Sequence, residues 1–280
     1  MPDVVVIGAG FSGLASAIFM ALEGRKVTVV EQADRPAPLL RNCACQGFEV
    51  NNGFHYIGGF YPGGALDRIF SHLGLRDLVT PVPLNEDGFD SFLGLLDRTI
   101  RVPVGPLRVQ TLLNDAFPGN GPVLEAYFAE LRTAFRDFDF LKLEEFFLGA
   151  DHKLVAATLY DFLAARGATP DLIVFLDVYS EMLLGVPARE VPFLTHLLGV
   201  GAYFLSAHTF AGGGGALAEA LEARAREVGV RIRTGCRAVG IEGGARRRVS
   251  AVRVRCPDGT EESIPAEACV STIHPKRLPA

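Results

Sequence analysis

Hydrophobic positions follow two different periods along the chain. Near the N-terminus Val4-Val5-Val6-Ile7 is apolar at every step, the pattern of a strand covered on both faces, as in a parallel sheet. It runs into Gly8-Ala9-Gly10-Phe11-Ser12-Gly13. Leu14, Ile18 and Ala21 then recur at helical spacing as far as Gly24, a residue suited to the left-handed end of a helix. A second β-branched run, Val27-Thr28-Val29-Val30, closes on Glu31. The pattern predicts a strand–helix–strand unit.

The middle of the chain changes character. Phe92 to Leu96 and Thr99 to Val102 predict a hairpin around Asp97-Arg98. Leu124, Phe128, Leu131, Phe135 and Phe138 recur at three- and four-residue steps, which predicts a helix. Further helices are expected from Leu154 to Arg166, stopped by Gly167, and from Pro170 to Leu184. Phe135, Phe138, Phe140, Phe146 and Phe147 form a dense aromatic stretch, readable as core or as the wall of an apolar tunnel. After Gly212–Gly215 a helix is expected with Leu217, Leu221, Arg224 and Val228 along one side, ending at Gly229. Val230-Arg231-Ile232-Arg233 alternates as a half-buried strand should. In Val249–Cys256, Val252, Val254 and Cys256 share one face, and Arg253 and Arg255 share the other. A turn at Pro257-Asp258-Gly259-Thr260 leads to a short strand through Ile264. Together these predict an antiparallel meander attached to a parallel sheet.

Each glycine of the first turn has a physical reason. Gly8 permits the tight exit from the strand, Gly10 lets backbone approach a diphosphate, and Gly13 lets helix and sheet pack closely. The free N–H groups and positive dipole end at the helix start suit phosphates. Glu31 is placed to accept hydrogen bonds from both ribose hydroxyls of an adenosine, and its charge disfavours a 2′-phosphate. The motif alone does not separate FAD from NAD; the meander tilts the expectation to FAD.

Composition narrows the class. The chain has 280 residues, enough for one large domain or two intertwined ones. Its net charge of −5 points away from a nucleic-acid partner. The five cysteines form no framework, which suits a reduced, cytoplasmic protein. Cys43 and Cys45 have no second pair at zinc spacing, so no metal is expected. No leader is visible. The longest apolar stretch, Phe193 to Phe204, is interrupted by His196 and is too short to span a bilayer. The Arg246-Arg247-Arg248 run reads as a solvated loop, with peripheral membrane contact as the sharper alternative.

Three further stretches carry a family resemblance. Gly47-Phe48-Glu49-Val50-Asn51-Asn52-Gly53-Phe54-His55-Tyr56-Ile57-Gly58-Gly59 resembles the segment after the nucleotide motif in carotenoid desaturases. Gly212–Gly215 with Ala216-Leu217-Ala218-Glu219-Ala220-Leu221 resembles their later Gly-rich turn and helix. Val270-Ser271-Thr272-Ile273-His274-Pro275 resembles the strand by which such chains re-enter the flavin domain. The sequence is therefore similar to the phytoene desaturase, carotenoid isomerase and retinol saturase group of FAD enzymes, over residues 1–75 and 205–280. The resemblance implies an α/β fold: an FAD/NAD(P)-binding Rossmann-like domain from residues 1–75 and 205–280, with a mainly helical substrate domain, residues 76–204, inserted. It implies that Gly8, Ala9, Gly10, Phe11, Ser12 and Gly13 hold the FAD diphosphate, that Glu31 and Gln32 meet the adenosine ribose, and that the Val239 backbone lies against the adenine. Where the family carries Gly-Gly-Arg this chain has Leu39-Leu40-Arg41, and Arg41 is the candidate for the matching polar contact. Such enzymes continue past the Ser-Thr-Ile-His-Pro strand, whereas this sequence stops at Ala280; a fragment, a shortened gene product and one piece of a split protein are the alternatives, the last with a second chain as candidate partner for the later part.

Flavin performs hydride chemistry itself, so few ionisable side chains are required. His55 and Tyr56 are the candidate residues near the ring; His196 and His208 are read as structural or pocket-lining. Three functions remain open: oxidation, reduction or isomerisation of a C–C double bond in a hydrophobic, carotenoid- or retinoid-like molecule; a flavin amine-oxidase-like reaction; and a shortened FAD-binding protein or subunit without turnover.

Overall fold

A computed structural model describes residues 3–137, 156–243 and 248–277. The chain divides into two compact units: Met1–His55, Ile69–Pro81 and Phe210–Ala280 in one, Tyr56–Arg68 and Val82–Thr209 in the other.

The first unit is built on a parallel sheet. β1 (Asp3–Ile7) pairs with β2 (Lys26–Val30), and α1 (Phe11–Leu22) makes the crossover between them. Gly24 adopts φ +76°, and the next N–H, of Arg25, reaches back to the Met20 carbonyl at 2.9 Å, so the helix ends where the glycine predicts. Ala268–Ser271, from the far end of the chain, pairs in parallel with the other side of β1, and Arg231–Arg233 pairs in parallel with β2. β1 is thus central, and Val4, Val5, Val6 and Ile7 are all buried, which accounts for the unbroken apolar run.

Arg237–Gly243, Val249–Arg255 and Glu261–Pro265 form the antiparallel meander. Val252 and Val254 pack with Val5, Ile7, Val30, Cys236 and Ala266, so the meander is fastened to the sheet by one apolar layer. The alternating segment Arg231–Arg233 belongs to the parallel sheet. As its edge strand it is only half covered, and half-burial is what alternation reports. Arg248 is exposed; Arg246 and Arg247 lie outside the described residues.

The second unit is mainly helical. Its hairpin pairs Asp90–Leu95 with Arg98–Val102. The turn is Leu96-Asp97, both at positive φ (55° and 57°), one residue earlier than the pattern predicts, because Arg98 already pairs with Leu95. Helices follow at Pro106–Ala116, Gly121–Asp137, Leu159–Ala164, Pro170–Leu184 and Phe193–Leu205. Of the helix expected from Leu154 to Arg166, the segment Leu159–Ala164 is observed as a separate helix. Thr158 interrupts it with a reciprocal cap: Asp161 N–H donates to Thr158 Oγ1 and Thr158 N–H to Asp161 Oδ2, each at 3.1 Å. Leu154 itself lies outside the described residues. Phe193–Leu205 is apolar on most of its surface because it is the helix the others pack around; Phe193, Leu197, Val200 and Phe204 are fully buried. Of the dense aromatic stretch, Phe135 packs against this core, while Phe138, Phe140, Phe146 and Phe147 lie outside the described residues. Among the described residues no helix is long and apolar enough to cross a membrane.

His196 lies inside this core with no exposed surface. Its Nε2 shares a 2.9 Å hydrogen bond with the buried Tyr127 hydroxyl, and Nδ1 has no partner among the described residues. Burial pushes the imidazole down to about 3 from 6.5. Between those values the unfolded chain binds a proton that the folded chain does not. Stability is therefore complete above the unfolded value and falls as pH drops below it, by about 2 kcal/mol at pH 5. Urea unfolding at pH 7 and pH 5 should show this loss in the wild type, and a smaller loss in His196→Phe. Equal losses in the two proteins would contradict a neutral buried imidazole.

Candidate functional site

Where β1 ends, the backbone turns through Gly8 at φ +100°. A β-carbon there would lie 2.8 Å from Thr272 Oγ1. Thr272 follows the strand Ala268–Ser271, and its hydroxyl donates to the Ile7 carbonyl at 3.0 Å, bracing the turn from the side. Gly13 is tighter still: a β-carbon would stand 1.9 Å from the Gly8 carbonyl oxygen. These two glycines are required by the protein's own packing. Gly10 is different. It has ordinary extended geometry (φ −70°, ψ −177°) at the cap of α1, and a β-carbon on it would meet no protein atom within 4 Å. The space beside Gly10 is that of the crevice.

The crevice measures about 1050 Å³. Gly8, Gly10, Phe11, Ser12 and Gly13 line it from the turn and first helical residues, and Glu31 and Gln32 from the end of β2. No side chain caps α1, whose first internal bond is Leu14 N–H to Gly10 O at 3.0 Å. Residues 11–13 precede that bond, so their amides have no acceptor within the helix itself. Ala9, by contrast, is fully buried behind the turn.

Glu31 is buried, with 8% of its surface exposed. Its Oε2 accepts the Ala9 N–H at 2.8 Å and its Oε1 accepts the Ala33 N–H at 2.9 Å. The carboxylate therefore ties the glycine turn to the end of β2. An ionised carboxylate offers about four lone-pair sites. With two used internally, both oxygens keep acceptor capacity on the side that lines the crevice, so the residues present fit a dinucleotide with a free ribose diol.

Other sequence-predicted residues lie elsewhere. Arg41 is not among the lining residues: its Nη2 pairs with Glu222 Oε2 at 2.6 Å and its Nε donates to the Pro36 carbonyl at 2.8 Å. It fixes the segment after β2 to the helix Gly213–Glu227. Val239 sits at the register shift between Ala238 and Gly240, and the neighbouring wall of the crevice comes from Cys236, Arg237 and Ala238. The Gly212–Gly215 turn is close-packed within its own unit: β-carbons on Gly213 and Gly214 would fall about 2 Å from Asn51 Oδ1 and the Leu40 carbonyl (2.0 and 2.1 Å). His55 is exposed in the first unit. Tyr56 belongs to the second, where its hydroxyl donates to Asp90 Oδ1 at 2.7 Å; Tyr179 donates to Asp90 Oδ2 at 2.8 Å. Burial, then the Asp90 hydrogen bond, raises the Tyr56 phenol far above its usual range, so it stays protonated. Sequence reasoning missed Lys276 and Arg277, two cations on the crevice rim just beyond Ile273 and His274. Two basic residues directly after a strand that returns to β1 were the available signal.

The fold and crevice define a Rossmann-like dinucleotide-binding protein with an attached meander. The family profile described as flavin-containing amine oxidoreductase matches residues 11–279. The chain belongs to that FAD-dependent oxidoreductase family, and its cofactor is FAD. Among curated relatives, all-trans-retinol 13,14-reductase of Danio rerio is 29% identical over 135 residues, covering 45% of this chain and 21% of that protein. An inactive all-trans-retinol 13,14-reductase of the same fish is 25% identical over 214 residues, covering 67% of this chain and 33% of its own length. Hydroxyneurosporene desaturase of Rhodobacter capsulatus is 39% identical over 84 residues, or 29% of this chain and 16% of that one. A crystal structure from Pyrococcus furiosus superposes with a TM-score of 0.70 at 19% identity, over 99% of this chain and 61% of that one. Matched regions thus span at most about a third of these curated relatives' lengths.

Removing the Glu31 carboxylate should weaken the fold before any ligand is considered, because Ala9 and Ala33 lose their acceptors. Glu31→Ala should cost about 2 kcal/mol in flavin-free protein. Urea unfolding measures it, and an unchanged midpoint would show that the carboxylate does not brace the turn.

Proposed function

We propose that the first unit clasps FAD along this crevice and that the protein uses it to oxidise, reduce or isomerise a C–C double bond of an extended hydrophobic molecule. The observation that carries the first part is Gly10: the protein's own packing gives no reason for a missing side chain there, whereas a diphosphate on the helix amides does. In this reading the amides of residues 11–13 bind the diphosphate, Glu31 and Gln32 meet the ribose, and Lys276 and Arg277 add positive charge at the rim. Glu31 has two tasks, holding the turn and accepting from the sugar. FAD, when bound, supplies a hydride acceptor or donor at N5.

The retinoid and carotenoid names of the sequence relatives support a polyene-like substrate. The mainly helical second unit is the proposed substrate domain, its core rich in Phe and Tyr rings. One observation favours a second reading, FAD binding without turnover: a curated relative matched over 67% of this chain is itself named inactive.

Gly10→Ala separates a ligand-bearing turn from a merely structural one. Its effect on stability should stay within about 1 kcal/mol, the scale of an N-cap change. Its affinity for FAD should fall at least tenfold, or about 1.4 kcal/mol, when followed by quenching of flavin fluorescence. Unaltered affinity would remove the diphosphate from this turn. With FAD bound, anaerobic bleaching of the visible band by a polyene supports C–C chemistry. Bleaching by amines alone would overturn it, and a flavin reduced by dithionite but by neither substrate class supports the non-catalytic reading.

A further inference from the structure

The register of the meander places two cysteines face to face. Arg237 pairs with Arg255 and Ala238 with Val254 in the antiparallel ladder. One step further along the same register sets Cys236 opposite Cys256. Cys236 N–H donates to the Glu31 carbonyl and Cys256 N–H to the Thr260 carbonyl, both at 2.8 Å, so neither donates to the other. They occupy a non-hydrogen-bonded position, where opposed Cα atoms approach to about 4.5 Å. That is inside the span of about 4.4–6.8 Å that a disulfide tolerates. Both are free thiols in the same apolar cluster, Cys236 buried within it and Cys256 half-buried against it.

We propose that Cys236 and Cys256 are a redox modification site, a cross-strand dithiol that closes to a disulfide when it meets a low-molecular-weight disulfide. Polar groups sit beside the more exposed thiol. Glu262 Oε1 accepts from the Cys256 thiol at 3.2 Å, and Arg233 Nη2 lies 3.6 Å from the same sulfur while pairing with Glu262. A proton acceptor and a cation therefore flank the more exposed sulfur. The Glu262 hydrogen bond, then burial, raises the Cys256 thiol above its usual range, so the attacking thiolate is a minor form and exchange is slow unless the small disulfide is in excess.

The chemistry balances without the flavin. Cys256 gives up its proton, and its thiolate attacks one sulfur of the small disulfide. That S–S bond breaks, one small thiolate leaves and takes a proton, and a mixed disulfide remains on Cys256. Cys236, deprotonated in turn, attacks the Cys256 sulfur and expels the second small thiol. Two cysteine thiols are oxidised to one disulfide, and the small disulfide is reduced to two thiols. The new bond would pin the crevice wall at Cys236, whose amide holds the Glu31 carbonyl, to the end of strand Val249–Arg255.

Cys269 packs against the same cluster but stands opposite Val5 in the parallel sheet, not opposite a cysteine. Cys43 and Cys45 stand two apart on one strand, so their β-carbons are roughly 6.7 Å apart, beyond the disulfide range of about 4.5 Å.

Peptide mapping tests the site in the full chain with no flavin added. The protein is incubated with excess oxidised glutathione, capped with N-ethylmaleimide and digested with trypsin, which cuts at Arg237 and Arg255. The expected result is a cross-linked peptide joining Cys236 to Cys256, lost on treatment with dithiothreitol, and a higher thermal midpoint for the oxidised protein. The tryptic peptide starting at Cys256 also carries Cys269, so Cys43→Ser/Cys45→Ser/Cys269→Ser should keep that cross-link and Cys256→Ser should abolish it. Recovery of Cys236 capped by maleimide, whether Cys256 is also capped or only glutathionylated, would overturn the proposal. Because FAD plays no part in the assay, failure of the flavin reading leaves this result independent.

Discussion

The close approach of Gly13 to the Gly8 carbonyl underlies everything that follows. A methyl group at Gly13 would lie 1.9 Å from that oxygen, so any larger residue would lift α1 off the end of β1. With glycine, the helix starts directly over the strand end, and its first amides face the mouth of the sheet. The contact also depends on distant sequence. Thr272, reached only after the chain has passed through the second unit, donates to the Ile7 carbonyl and lies where a Gly8 side chain would go. The nucleotide turn is therefore local in sequence but completed by a strand from the other end of the chain.

Glu31 extends that logic to electrostatics. An acid buried at the end of a strand needs hydrogen bonds, and here two backbone amides supply them, one from the glycine turn and one from the residue two positions on. The same residue's carbonyl accepts from Cys236, and its N–H donates to Arg233. One residue thus links the turn, the edge of the parallel sheet and the start of the meander. A carboxylate held this firmly has little conformational freedom left to lose in the ribose contact proposed for it.

How much of this was legible follows the range of the interactions. The first strand, helix and strand were readable because their signals are local: β-branched runs, helical spacing and a glycine stop. The meander was readable because Val252 and Val254 alternate with Arg253 and Arg255. The place of Arg231–Arg233 was not, since alternation reports half-burial and an edge strand of either sheet type is half-buried. Arg41 was open to misreading for a related reason. Its partner, Glu222, is distant in sequence, and nothing local distinguishes an arginine that pairs with a helix from one that faces a ligand. Thr158 could have been recognised, as a Thr three residues before Asp161 is a capping signature, but the apolar spacing around it suggested one longer helix.

The three glycines of the turn show why spacing alone understates what a motif contains. The family resemblance assigns all three to the diphosphate, although the pattern itself already asks for Gly8 at the strand exit and Gly13 at the helix–sheet approach. In the structure Gly8 and Gly13 are fixed by the protein's own atoms, and any α/β unit with this strand–helix approach would select them whether or not it bound anything. Only Gly10 lacks an internal cause. Its backbone is in a conformation that any residue adopts, and its neighbourhood would accept a side chain. A glycine at such a position leaves room for something outside the chain to come close to the backbone. The inference to a bound diphosphate therefore rests on the one glycine whose geometry is least unusual.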